Sequence, residues 1–180
     1  MLRVKEGDLE AFEELVSRHQ HSVVGTAARM LGSGGEAEDI AQQVFVRIWK
    51  SAARYEPSAK FTTWLMTITR NLVFNELRRR RRTHLVSLET AEDEAPPHQF
   101  ADQEALAPSE KLIDAELQQA IDTAIASLPE KQRLAVVLRR YESMSYEEIA
   151  KILATSVAAV KSILFRARAE LKDKLQKYLE

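Results

Sequence analysis

The sequence predicts an all-α protein of two small helical domains joined by an acidic linker that contains prolines. All five glycines of the 180-residue chain lie in its first 35 residues, whereas a β-rich fold needs glycine turns throughout. Elsewhere apolar residues recur at three- and four-residue spacing, the period of amphipathic helices. Residues 1–84 carry a net charge of +4, residues 85–114 carry −7 and residues 115–180 carry +2. We therefore expect domains at 1–84 and 112–180, with the linker at 85–111.

The first domain is predicted to contain three helices. Asp8 is a suitable N-cap for a helix that ends at Gly32. The second helix is expected to end at Pro57, and its predicted apolar face consists of Ile40, Ala41, Val44, Phe45, Ile48, Trp49 and Ala52. The third helix repeats apolar residues from Phe61 to Leu72 and continues into five consecutive arginines, Arg78–Arg82.

The second domain is predicted to end in a helix-turn-helix. A helix spans Ile113 to Ala124, and Pro129 stands near the start of the next one. The sequence Ser145-Tyr-Glu-Glu148 is a capping box, which marks the start of a short helix. A turn at 154–156 leads into a last helix from Val157 onward, which is the spacing of a helix-turn-helix.

The last helix has an apolar stripe and an opposite polar face that could read DNA. The stripe contains Val157, Val160, Leu164, Ala167 and Leu171. Ser162, Phe165 and Arg166 lie on the other side, with Lys161 at its edge. A guanidinium can bind guanine and an aromatic edge can contact a thymine methyl group in the major groove. The alternative is a structural or partner-binding helix with one exposed phenylalanine.

The third helix carries residues suited to single-stranded nucleic acid. Cationic and short polar side chains surround Trp64 in sequence: Lys60, Thr62, Thr63, Thr67, Arg70, Asn71, Asn75 and Arg78. Separated strands need cations for phosphate, polar groups for base edges and an aromatic surface for an unstacked base. Two alternatives remain open: the arginine run is a solvated helix end, and Trp64 lines the core.

Several motifs in order resemble the extracytoplasmic-function group of bacterial RNA polymerase sigma factors. They are Ala37–Trp49 (AEDIAQQVFVRIW), Phe61–Asn71 (FTTWLMTITRN), Asn75–Arg80 (NELRRR), Leu128–Arg133 (LPEKQR), Ser145–Ala150 (SYEEIA) and Val160–Ser162 (VKS). The resemblance covers nearly the whole chain outside the linker.

The resemblance implies three binding surfaces. The polymerase core would be bound through Asp39, Gln42, Gln43 and Val46. The minus-ten promoter element, in part as melted strand, would be bound through Lys60, Thr62, Thr63, Trp64, Thr67, Arg70, Asn71, Asn75 and Arg78. The minus-thirty-five element would be read as duplex through Lys161, Ser162, Phe165 and Arg166, with Arg139 on a phosphate. The group also implies an anti-sigma partner that holds the protein inactive.

Three positions depart from the pattern of that group. Gln43 stands where an acidic residue is usual, Ile163 where arginine is usual, and Ala158 where glycine is usual. The promoter sequence therefore cannot be inferred from a relative.

Composition and motifs argue against an enzyme and against a membrane protein. His19, His21, His84 and His98 have no metal-ligand spacing, and Gly32–Gly35 lacks the pattern of a phosphate loop, so no metal or cofactor is expected. The absence of cysteine fits a reducing compartment such as the cytoplasm, and no run of about 18 apolar residues is present to span a bilayer.

One rival function remains at the level of sequence. A helix-turn-helix regulator would bind duplex DNA without joining the polymerase. Such a regulator has no need of the Asp39–Trp49 helix beside a second helix that carries asparagines and ends in arginines. The first domain therefore favours the sigma-factor interpretation.

Overall fold

The computed structural model describes residues 1–32, 34–87 and 108–178, which form helices and connecting turns without a strand. The all-α prediction is confirmed. Most of the predicted linker, including His98, lies in residues 88–107, outside the described part of the chain. The helices are α1 (Leu2–Lys5), α2 (Leu9–Leu31), α3 (Gly34–Ser51), α4 (Phe61–Ser87), α5 (Pro108–Ala126), α6 (Glu130–Arg140), α7 (Tyr146–Leu153) and α8 (Val157–Lys174).

Helix α2 begins and ends where its capping residues predict. The Asp8 carboxylate accepts a hydrogen bond from the Ala11 backbone N–H at 2.9 Å, which satisfies one of the free donors of the first turn. Gly32 adopts the left-handed conformation with φ of 74°, and its N–H donates to the Ala28 carbonyl. Both the predicted N-cap and the predicted stop are confirmed.

Helix α3 ends earlier than predicted. It stops at Ser51, whose hydroxyl donates to the Arg47 carbonyl oxygen at 2.6 Å, and a 3-10 turn follows at Ala52–Arg54. Tyr55 is then extended, so Pro57 lies in a connecting segment and does not end the helix. The prediction that Trp49 belongs to the buried face is also wrong, since 39% of Trp49 is exposed. Its ring packs on the partly buried Phe12 at the edge of the core, with 4.9 Å between ring centroids.

Helix α4 continues through the arginine run as predicted and extends to Ser87. At about 1.5 Å per residue its 27 residues span about 40 Å. Leu65, Met66, Leu72 and Val73 are buried against the neighbouring helices. One continuous helix therefore carries both the Trp64 neighbourhood and the arginines.

The helix-turn-helix is confirmed. The Ser145 hydroxyl accepts from the Glu148 N–H at 3.2 Å, and a Glu148 carboxylate oxygen accepts from the Ser145 N–H at 2.8 Å. This reciprocal pair is the predicted capping box at the start of α7. Ala154 ends α7 in the left-handed conformation, and Ser156 caps α8 by accepting from the Ala159 N–H.

The two halves of the chain pack against each other. Helix α4 contacts α7 and α2 contacts α6, in addition to the α2–α3 and α6–α8 packing within each half. Buried residues of both halves form one hydrophobic cluster, which includes Val23, Ile48 and Leu65 from the first half and Leu134 and Ile149 from the second. The sequence pattern predicts the two helical units but not this contact between them.

Candidate nucleic-acid interface

The outward face of α8 is as the helical periodicity predicts. Val160, Leu164 and Ala167 are buried, whereas Lys161, Ser162, Phe165 and Arg166 are all exposed. Phe165 is 72% exposed and is the most exposed large apolar side chain of the described residues. A single exposed apolar side chain is common at protein surfaces, so the informative observation is that Phe165 lies among polar and cationic side chains on one face. Arg166 is held loosely, with its Nε 3.4 Å from the Ser162 carbonyl oxygen.

Two arginines beside the first residue of α7 add positive charge next to that face, Arg139 from α6 and Arg168 from α8. Arg168 donates to the Tyr146 hydroxyl at 3.3 Å, and the Arg139 guanidinium lies 5.4 Å from the Tyr146 ring centroid. The hydrogen bond and charge of Arg168, with further charge from Arg139 and Lys161, lower the pKa of Tyr146. Arg139 also donates to the Met144 carbonyl oxygen at 2.9 Å, so it orders the loop before α7.

Tyr146 and Arg168 were not predicted as site residues. Tyr146 entered the sequence analysis as part of the capping box and of the SYEEIA motif, and Arg168 lies two residues beyond Arg166 on the helix. Their juxtaposition depends on the angle between α7 and α8, which no local pattern specifies. The sequence shows that α8 carries several cations, but it does not show which of these side chains lie close together in space.

The first turns of α4 form an aromatic cluster with the segment before them. The Trp64 ring lies 5.0 Å from Tyr55 and 6.0 Å from Phe61 between ring centroids. Trp64 is half-buried, so it both lines the core and presents an edge at the surface. A shallow cleft beside it is lined by Tyr55, Glu56, Ser58, Ala59, Thr63, Trp64, Thr67 and Lys151.

The other predicted residues of this surface differ in exposure. Asn71, Asn75 and Arg78 are exposed at successive turns of α4. Lys60 is exposed and Thr62, Thr67 and Arg70 are half-buried, but Thr63 is only 4% exposed. The Nε of Arg70 is buried without a hydrogen-bond partner in the described structure. In this arrangement the row from Asn71 to Arg78 is accessible, whereas Thr63 is not.

The arginine run is divided between structural and unpaired side chains. Arg79 binds Glu76, and Arg80 binds Glu36 and donates to the Leu31 carbonyl oxygen at 2.6 Å. Burial lowers the pKa of the Arg80 guanidinium. Arg81 pairs with Glu130 of the second half at 2.7 Å. Within the described residues Arg78 and Arg82 have no partner, so they are the members of the run that are available to phosphate.

A separate surface lies on α3. Asp39, Gln42, Gln43 and Val46 are all exposed on one side of this helix, opposite its buried residues. Val46 is 50% exposed, and Trp49 lies one turn further along the same helix. The surface therefore combines apolar area with amide and carboxylate groups, a composition suited to protein binding.

Two family descriptions match the chain in order. The sigma-70 region 2 family matches residues 15–83, and the sigma-70 region 4 family matches residues 118–171. The ECF RNA polymerase sigma-E factor of Escherichia coli is 35% identical over 97% of this chain and 91% of the relative. The RNA polymerase sigma-H factor of Pseudomonas aeruginosa is 34% identical over 98% of this chain and 92% of the relative. The chain belongs to the extracytoplasmic-function group of RNA polymerase sigma factors.

Solved structures agree with this membership in fold. The structure of CnrH in complex with the cytosolic domain of CnrY has a TM-score of 0.68 and 25% identity, and covers 97% of this chain and 94% of that one. RpoE of Bartonella quintana, solved with the anti-sigma factor NepR, has a TM-score of 0.74 and 24% identity, and covers 93% of this sigma factor and 98% of RpoE. Both halves of the chain are thus part of the shared fold.

The matched regions contain the predicted surfaces. Region 2 includes α3 and the part of α4 that carries Trp64, Asn71 and Arg78, and region 4 includes the helix-turn-helix. No helix in the described part of the sigma factor is both long and apolar enough to cross a membrane. Among the described residues there is no cluster of three His, Asp or Glu side chains that could hold a metal ion.

Proposed function

We propose that this protein is an alternative sigma factor that joins the RNA polymerase core, directs it to particular promoters and helps to melt the minus-ten region. The observation that carries the proposal is the order of region 2 and region 4 along a chain that its sigma-factor relatives match over nearly its full length. On this proposal the protein acts in the cytoplasm as a transcription initiation factor, not as an enzyme.

Each exposed surface is assigned one role in the proposal. The α3 surface of Asp39, Gln42, Gln43 and Val46 binds the polymerase core. The α4 surface, with Trp64, Asn71, Asn75 and Arg78 at its centre, binds the melted minus-ten strand. The α8 face, with Lys161, Ser162, Phe165 and Arg166, reads the minus-thirty-five duplex. The domain bounds of 1–84 and 112–180 and the linker between them remain part of the proposal.

A regulatory protein partner also belongs to the proposal. CnrH, which is similar over 97% of this chain, was solved with the cytosolic domain of a second protein, CnrY. We expect a comparable partner, an anti-sigma factor, for this chain. Co-purification of the tagged protein from its own organism, followed by mass spectrometry, checks this expectation. Recovery of polymerase subunits without any further stoichiometric protein, under inducing and non-inducing conditions, would contradict it.

The decisive experiment combines the purified protein with bacterial core polymerase and a genomic library of promoter fragments. Sequencing of the transcripts should show initiation from a small set of fragments that share two spaced elements. Core polymerase alone is the control, and a variant with Asp39→Ala, Gln42→Ala and Val46→Ala should lose both core binding and transcripts. Duplex binding without core association or transcription would favour the helix-turn-helix regulator.

Asn71→Ala tests the assignment of α4. We expect slower promoter opening with unchanged core binding, because an exposed amide on this helix would lose its contacts to an unpaired base. Permanganate reactivity of thymines near the start site measures opening, and Gln20→Ala, an exposed polar change on α2, is the control. Wild-type permanganate reactivity in the Asn71 variant would remove this residue from the melting surface.

A further inference from the structure

The second half of α4 has little apolar packing to hold it. The buried apolar residues of this helix all lie in its first half: Leu65, Met66, Leu72 and Val73. Phe74 and Leu77 are only partly buried, and the described residues beyond them are exposed apart from Arg80. Asn75 and Arg78 of the proposed minus-ten surface stand in this half. The direction in which α4 presents them therefore depends on polar contacts.

Arg80 makes such contacts and is the least exposed arginine of the run. Its side chain is 32% exposed, against 69% for Arg79 and 66% for Arg81. Each of its three guanidinium nitrogens faces an oxygen. Nη1 donates to the Leu31 carbonyl oxygen at 2.6 Å, Nη2 donates to the Glu36 carboxylate, and Nε lies 3.7 Å from Glu76 Oε1. Because the guanidinium is planar and its donors point in fixed directions, three partners define its orientation.

Two of these partners lie where α2 passes into α3. Leu31 is the last residue of α2, so its carbonyl is among those that a helix leaves without a partner of its own. Glu36 stands in the first turn of α3. A cation is favoured at the C-terminus of a helix and a carboxylate at the N-terminus, so the Arg80 guanidinium and Glu36 suit both helix ends. Arg80 thus ties α4 to the junction of the two preceding helices.

This junction adjoins the surface proposed for the polymerase. Glu36 lies three residues before Asp39 and seven before Gln43, which places all three on one face of α3. On α4, Asn75 and Arg78 lie within five residues of Arg80. A single side chain therefore joins the helix that would bind the polymerase to the part of α4 that would bind DNA.

We propose that Arg80 is a positioning residue for promoter melting, an inference that rests on the sigma-factor function proposed above. Its contacts hold the second half of α4 at a fixed angle to α3. Asn75 and Arg78 then reach the unpaired strand from the place at which the polymerase holds α3. Arg80 itself does not contact DNA, since each of its nitrogens faces an oxygen of the first half of the chain.

Two variants and a matched control test this role. Arg80→Ala removes all three contacts, whereas Arg80→Lys keeps the charge on one ammonium group that cannot reproduce the fork of the guanidinium. The control, Arg79→Ala, makes the same residue change and the same charge change one position away, at an exposed arginine that donates to Glu76 of its own helix. Circular dichroism verifies that the variants are folded.

Spin labels report the direction of α4 relative to α3. The natural chain has no cysteine, so Lys50→Cys on α3 and Thr83→Cys on α4, both at exposed positions, give one labelled pair for pulsed electron paramagnetic resonance. Lys50 lies near the opposite end of α3 from Glu36, which separates the two labels. All labelled chains also carry Glu130→Gln, which removes the carboxylate that pairs with Arg81.

The label distances are measured on the free chain and on the chain bound to core polymerase. We expect a broader distance distribution in Arg80→Ala than in the natural sequence in both states. Arg80→Lys should give an intermediate width, and Arg79→Ala should match the natural sequence.

Core affinity and promoter opening are measured on the same substitutions without labels. Arg80→Ala should leave core affinity unchanged and slow opening by about 3- to 10-fold, because the DNA-binding groups are still present but misplaced. Arg80→Lys should recover part of the rate. Permanganate reactivity over time, on the promoter recovered from the transcription experiment, measures opening. A general loss of folding would instead lower core affinity and opening together.

Glu36→Ala separates positioning from direct DNA binding. If Arg80 acts through its contact with Glu36, this variant slows opening as Arg80→Ala does, and the double variant is no slower than the slower single variant. Glu38→Ala, at an exposed carboxylate two positions further along α3, is the matched control. Faster opening in Glu36→Ala would show that the released guanidinium binds phosphate, and it would overturn the proposal.

Two further results would also overturn it: an unchanged label distribution in Arg80→Ala, or equal slowing of opening by Arg79→Ala. If Arg80→Ala does not fold, Arg80→Lys decides by the same readouts with a smaller expected change. The label distances of the free chain require neither polymerase nor promoter. A failed positioning role is therefore distinguishable from a failed sigma-factor assignment, which would appear as absent core binding by the natural sequence.

Discussion

Arg166 lies beside Phe165 on the exposed face of α8, where the helix offers a cation and an apolar edge side by side. Among the described residues, its one hydrogen bond is a long one to the Ser162 carbonyl oxygen. A guanidinium without a strong internal partner can form two hydrogen bonds to guanine without losing structural contacts. Nothing in the fold requires an arginine here, which is why binding is its better explanation.

Arg166→Ala should weaken binding to a promoter duplex by about 1–3 kcal/mol, the range for a good bidentate base contact. Fluorescence anisotropy with the promoter recovered from the transcription experiment measures the loss. Lys177→Ala, an exposed cation beyond α8, is the control. An equal loss on a scrambled duplex would reduce Arg166 to a phosphate contact.

His19 makes stability depend on pH. Its ring is half-buried and packs on Phe61 at 5.2 Å, and burial, with the charge of Arg18, lowers its pKa against the opposing charge of Glu142. The unfolded chain therefore binds the proton more tightly than the folded chain does. The free energy of unfolding therefore decreases as the pH falls below the ordinary histidine pKa of about 6.5. It stops decreasing once the pH is below the pKa of His19 in the folded chain.

We expect His19→Gln to flatten this part of the pH dependence. Urea unfolding at pH 7.5 and pH 5.5 gives the change in unfolding free energy for each protein. His21→Gln, at an exposed position on the same helix, should retain the wild-type loss. If His19→Gln loses as much stability as the wild type between these two pH values, His19 is not the titrating group.

The exposure and the partners of single residues were predicted correctly from the sequence in some cases and not in others. Helical periodicity alone predicts that Phe165 is exposed, and the structure confirms this prediction. Periodicity also placed Trp49 on the apolar face of its helix, but the width of a buried stripe depends on what packs against it, and 39% of Trp49 stays exposed beside Phe12. The division of the arginine run among Glu36, Glu76 and Glu130 depends on three different helices, so no pattern within the run could reveal it.

At the scale of elements, helix ends were predicted best where a side chain bonds the backbone. Asp8 and Ser145 do this within a few residues, so their roles follow from the local sequence. Helix α1 has only four residues and no side-chain cap, and it was not predicted. Its position depends on distant contacts, such as the hydrogen bond from Lys5 to the Tyr55 carbonyl oxygen at 3.0 Å.

Helix α7 should depend strongly on its cap because it has only eight residues. Ser145→Ala removes the acceptor for the Glu148 N–H, and we expect the unfolding free energy to fall by about 1 kcal/mol. Chemical denaturation measures the change. Ser17→Ala, at an exposed position within α2, should leave stability unchanged or slightly higher, because alanine is the better helix former. A Ser145 variant as stable as the wild type would show that tertiary packing alone holds α7.

At the scale of the whole molecule, the charge total is misleading. A net charge of −1 suggests indifference to nucleic acid, but it averages two basic ends and an acidic middle. The contact between the halves could not be predicted from sequence, because Ser22 and Glu142 lie 120 residues apart and neither belongs to a motif that indicates the other. The fold of each half was predictable, whereas their mutual arrangement was not.

The free sigma factor should bind duplex promoter DNA weakly. Four cations lie on or near the reading face of α8: Arg139, Lys161, Arg166 and Arg168. If each neutralises one phosphate, the slope of log K against log salt concentration is about −4 at most, since each contact adds about −0.9. Anisotropy titrations from 50 to 200 mM salt, roughly the range in which this law is usually applied, measure the slope. A much steeper slope would mean that further cations of the chain contact the duplex.

Arg133 forms hydrogen bonds to both halves of the chain. It donates to the Met30 carbonyl oxygen of α2 at 2.8 Å, and also to the Ala126 and Leu128 carbonyl oxygens of its own half. The two bonds within its own half hold the guanidinium in the orientation that the bond to Met30 requires. Little additional side-chain entropy is therefore lost when the bond to Met30 forms. One preoriented side chain thus adds a directional contact to the packing of α6 against α2.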